Sequence, residues 1–110
     1  MVDLHPIPMP DLLRSFREQA TSSTSEGVVW LPLARLACIA MSMGPEGKRA
    51  FLTLLDDDVE AVRYLAARQA LDRGMDMDRP IPVLRAVGRG DSPFWYSARV
   101  RLIALDQFGK

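Results

Sequence analysis

The sequence predicts an all-α domain: six helices in three antiparallel pairs, stacked as a short α-solenoid or a compact α-α superhelix. Three observations carry this expectation. Apolar residues recur at three and four in the central stretch, where Val59, Val62, Ala66 and Ala70 fall on one helical face. Pro10, Pro45 and Pro80 stand 35 residues apart, each at the opening of a short helix where the missing N–H costs nothing. Finally, the chain resembles itself. Ala37, Ala40, Met41 and Gly44 match Ala67, Ala70, Leu71 and Gly74 at an offset of 30, and Ala67, Arg68 and Leu71 match Ala98, Arg99 and Leu102 at an offset of 31.

Residues 1–9 read as a tail and 10–110 as one domain. Pro6, Pro8 and Pro10 favour extended backbone, and His5 in this tail reads as a solvated side chain. The first helix spans Asp11 to Ala20, with Leu12, Leu13 and Phe16 as its apolar stripe and Arg14, Arg17 and Glu18 facing water. Thr21 to Gly27, TSSTSEG, has the composition of a solvated connector. The second helix runs from about Leu31 to Met43, with Pro32 in its first turn. Little of it is polar beyond Arg35 and Ser42, so it is expected to be buried on several sides, with Cys38 a structural residue inside it.

Gly44-Pro45 breaks the chain and starts the third helix, whose Phe51, Leu52, Leu54 and Leu55 lead into the acidic turn Asp56–Asp58. Asp57 followed by Glu60 has the form of an acidic capping box for the fourth helix, from about Asp58 or Val59 to Arg73. The carboxylates also suit the positive end of that helix dipole. Gly74 is its C-terminal stop. After a turn-like MDMDRP linker, Pro80 opens a fifth helix, Ile81 to about Val87, ended by Gly88 and Gly90. Ser92-Pro93 then starts a last helix that reaches about Gln107. The expected pairs are first with second, third with fourth, and fifth with sixth.

Composition bounds the function. Apolar residues make up 48 % of 110, enough for a core, and the formal net charge is zero, which argues against general nucleic-acid binding. The halves differ. Residues 1–58 hold five basic and eight acidic side chains (−3), and residues 59–110 hold nine and six (+3). One cysteine excludes an internal disulfide and fits a reducing compartment. No signal-peptide pattern or membrane-length apolar run is present, so a cytoplasmic protein without membrane contact is expected.

LLDDDVEAVRYLAARQAL, with Val62, Arg63, Ala66, Ala67 and Leu71 carrying the match, resembles a HEAT-type repeat. The longer run from Gly44 through Leu71 is similar to a family of small bacterial HEAT-like domains of unknown function. That resemblance implies stacked helix pairs used for protein binding and no enzyme chemistry. It also implies that Arg63 is structural, tied to an acidic residue among Asp56, Asp57 and Asp58 or to a neighbouring turn.

The residues themselves show no catalytic constellation, no cofactor motif and no metal set. Three consecutive carboxylates do not converge on one ion, and the glycine of a calcium loop is missing. The candidate partner-binding residues are Trp95, Tyr96 and Arg99, joined by Arg85 and Arg89, with Arg101 nearby. Phe94, Trp95 and Tyr96 cannot share one helix face, since each step turns about 100°, so at least one is expected to be exposed. Aromatics and arginines are the side chains enriched at binding hot spots. The expectation is a non-catalytic protein-binding module. Similarity to HEAT-like bacterial immunity proteins suggests a toxin as the partner; the alternatives are an adaptor or assembly subunit, or a HEAT-like nucleic-acid-binding domain.

Overall fold

The computed structural model describes residues 8–23 and 30–105. Among them are six α-helices: α1 (Met9–Thr21), α2 (Trp30–Ser42), α3 (Gly44–Leu52), α4 (Glu60–Asp72), α5 (Pro80–Arg89) and α6 (Trp95–Ala104). A 3₁₀ turn, Thr53–Asp56, continues α3 into the acidic segment. No strand occurs among the described residues. None of the helices is long and apolar enough to cross a membrane. His5, most of the Thr21–Gly27 connector and the end of the last helix at Gln107 lie outside the described residues.

The prolines act as the sequence requires. Pro10, Pro45 and Pro80 occupy the first or second position of α1, α3 and α5, where an absent N–H breaks no helical bond. Helix α1 begins at Met9, two residues earlier than expected, because Pro8 supplies the carbonyl that accepts from Leu12 N–H. Helix α4 stops at Gly74, whose φ of +69° is open to glycine at no steric cost. Its N–H donates to Leu71 O and Met75 N–H donates to Ala70 O, the two bonds of a Schellman motif. Gly44, its counterpart at an offset of 30, has φ +79°.

Helix α4 is the centre. Val62, Tyr64, Leu65, Ala66, Ala67, Gln69, Ala70 and Leu71 are all buried, and it packs against α1, α2, α3 and α5. Its alanines let those neighbours approach closely. The repeat-related alanines Ala37, Ala67 and Ala98 are each fully buried. Phe16 of α1 meets Phe51 of α3 edge-on, with ring centres 5.1 Å apart and both side chains out of water. Burying an aromatic of this size stabilises by about 1.5–3 kcal/mol. The radius of gyration, 13.8 Å, is near the ~13 Å expected of a chain this long.

One expectation is corrected, and the helices do not separate into three pairs. Helix α3 packs on α2 and α4 on α5, while the 3₁₀ turn that continues α3 packs on α4. Gly47 shows why α3 turns to α2: a Cβ there would stand 2.0 Å from Ala40 O and 2.7 Å from Met43 Cβ, so only glycine permits the approach. Helix α2 is not buried all round either. It uses Leu33, Ala37 and Ala40 as its inner stripe and leaves Trp30, Leu31 and Cys38 exposed. Cys38 is therefore a surface thiol, not a core residue. Apolar composition without periodic contrast does not say which face of a helix its neighbours cover; α4, with more polar side chains, is the helix enclosed by them.

Candidate binding surface

Helix α6 packs chiefly on α5, and two side-chain contacts tie it to α4 as well. At its start, the ring of Phe94 stacks on Tyr64 with centres 4.8 Å apart and planes 22° from parallel. Ser92 fixes that entry, since its hydroxyl oxygen accepts from Phe94 N–H at 3.0 Å. About two helix turns later, Arg101 pairs with Asp72 at the end of α4. Ala98 and Leu102 are then fully buried.

The opposite side of α6 carries Trp95, Arg99, Ile103, Tyr96 and Val100. At about 100° per residue these five positions fall within an arc of roughly 140°. Trp95 is 42 % exposed, Tyr96 65 %, Val100 47 % and Ile103 63 %. The two aromatic rings meet edge-on at 5.7 Å. Arg99 sits next to Trp95 at one side of the arc, its guanidinium carbon 4.9 Å from the centre of the Trp95 ring, and its Nε donates to Gly88 O at 2.7 Å. That bond crosses from α6 to α5 and holds the guanidinium in place.

Beside Trp95 and Arg99 lies an open depression of about 410 Å³, completed by Arg89, Gly90 and Asp91. Trp95, Arg99 and Arg89 are thus brought together, with Tyr96 on the same exposed arc. Arg85 lines a separate depression, with Met77, Asp78, Ile81 and Pro82. Arg101 is turned away to Asp72. Val100 and Ile103 belong to the surface too, although local spacing does not single them out. Their spacing from Tyr96, four and seven residues, is a helical stripe, but Ala98, Leu102 and Leu105 form an equally plausible inner one.

The acidic turn opens α4 with a different cap from the one expected of it. Its carboxylates diverge. Asp56 lies 3.7 Å from Arg79. Asp57 pairs with Arg17 of α1, 40 residues away, and accepts from Val59 N–H at 2.9 Å. Asp58 is exposed. Arg63 binds the turn through main-chain oxygens, donating to Asp57 O at 2.7 Å and Asp58 O at 3.1 Å. The expected capping box is therefore replaced by an Asp57 turn that closes on Val59, because the chain is still extended at Val59 before α4 begins. The Arg17 guanidinium, by hydrogen bonding, holds the Asp57 carboxyl below the ordinary carboxylate range; partial burial opposes this, and Val59 N–H and Arg63 add to the lowering.

Trp30 and Leu31, at the start of α2, are exposed as well, and Arg68 of α4 stands over the Trp30 ring at 5.1 Å while donating to the hydroxyl of buried Tyr64 at 2.9 Å. No protein-family description, no curated protein and no solved structure matches this chain.

Proposed function

We propose that this chain is a non-catalytic helical protein-binding module, and that the outer arc of α6 is its contact surface. The observation that supports the reading is the exposure of Trp95, Tyr96, Val100 and Ile103 side by side on one short helix. Scattered surface apolar residues need no explanation, whereas a contiguous aromatic and aliphatic strip beside arginines has the composition of an interaction site. The contacts of Phe94 and Arg101 with α4 hold this strip in place, so little ordering entropy is lost on binding. The HEAT-like resemblance points the same way, and a toxin countered by an immunity protein is one partner of this kind.

The test is affinity capture from the native host with the tagged chain and with a Tyr96→Ser/Ile103→Ser variant whose circular dichroism and melting temperature match the parent. A protein partner retained by the parent and lost by the variant is expected. Equal capture by both places the contact elsewhere. Recovery of nucleic acid alone contradicts the protein-binding reading.

A further inference from the structure

We draw no further inference here: the strongest candidate, the exposed apolar side of α6 with the depression between Trp95, Arg89 and Asp91, belongs to the surface already described, and nothing in the structure shows what covers it.

Discussion

Arg17 and Asp57 form an ion pair between α1 and the turn that precedes α4, across 40 residues of sequence. The carboxylate is largely shielded from solvent while the guanidinium is half exposed. Asp57 also accepts from Val59 N–H, so one side chain ties down the entry of the central helix and docks the first helix on it.

The pair fixes a pH dependence. The folded Asp57 carboxyl is lowered relative to an unfolded value of about 3.9. Its contribution is therefore present above about pH 4 and is lost as pH falls through the lowered folded value. Asp57→Asn should be about 1–3 kcal/mol less stable than the parent at pH 7. The gap should close in urea titrations carried down to pH 2–3. A constant gap across that range would mean that the carboxylate charge is not what stabilises the turn.

Arg63 is expected to matter through the backbone. Arg63→Ala strips the donor from two carbonyl oxygens in the turn, and the melting temperature should fall by several degrees, as a loss of about 1 kcal/mol does in a domain of this size. Arg49→Ala, on the exposed side of α3, is the control and should change little. Arg68 is a poor control, since it donates to the Tyr64 hydroxyl. Equal melting temperatures for the Arg63 and Arg49 variants would remove the structural role.

Adjacent residues on α6 should behave oppositely. Leu102 is fully buried and Ile103 is 63 % exposed. Leu102→Ala should cost about 2–5 kcal/mol, while Ile103→Ser should stay within about 0.5 kcal/mol of the parent. The reverse order in denaturant titrations would show α6 turned the other way.

The position of Cys38 gives a direct check on α2. An exposed thiol should react with a disulfide reagent in the folded protein, one equivalent per chain, without denaturant. Labelling that appears only on unfolding would restore the buried α2 that composition suggested.

These cases mark what could be read in the sequence. Helix starts were legible because proline is tolerated in few helical positions, and Pro10, Pro45 and Pro80 occupy them. The end of α4 was legible because Gly74 adopts a backbone conformation that other residues resist. That at least one of Phe94, Trp95 and Tyr96 is exposed followed from helical geometry, since three adjacent aromatics cannot share a face; that it is Trp95 and Tyr96 did not. The Arg17–Asp57 pair was not legible, because tertiary distance leaves no mark in local spacing. Nor was the outward side of α2 or α6: each helix has more than one apolar stripe, and the approach of α3 at Gly47 and of α5 to α6 decides which stripe is covered.

Photo-crosslinking at Val100 tests the α6 surface most directly. A benzophenone amino acid placed there in the native host should give a discrete covalent adduct with a protein partner, and the adduct should disappear in an Ile103→Ser background. The same probe at Arg49 should give none. An adduct at Arg49 with nothing at Val100, both variants folded, would contradict the account.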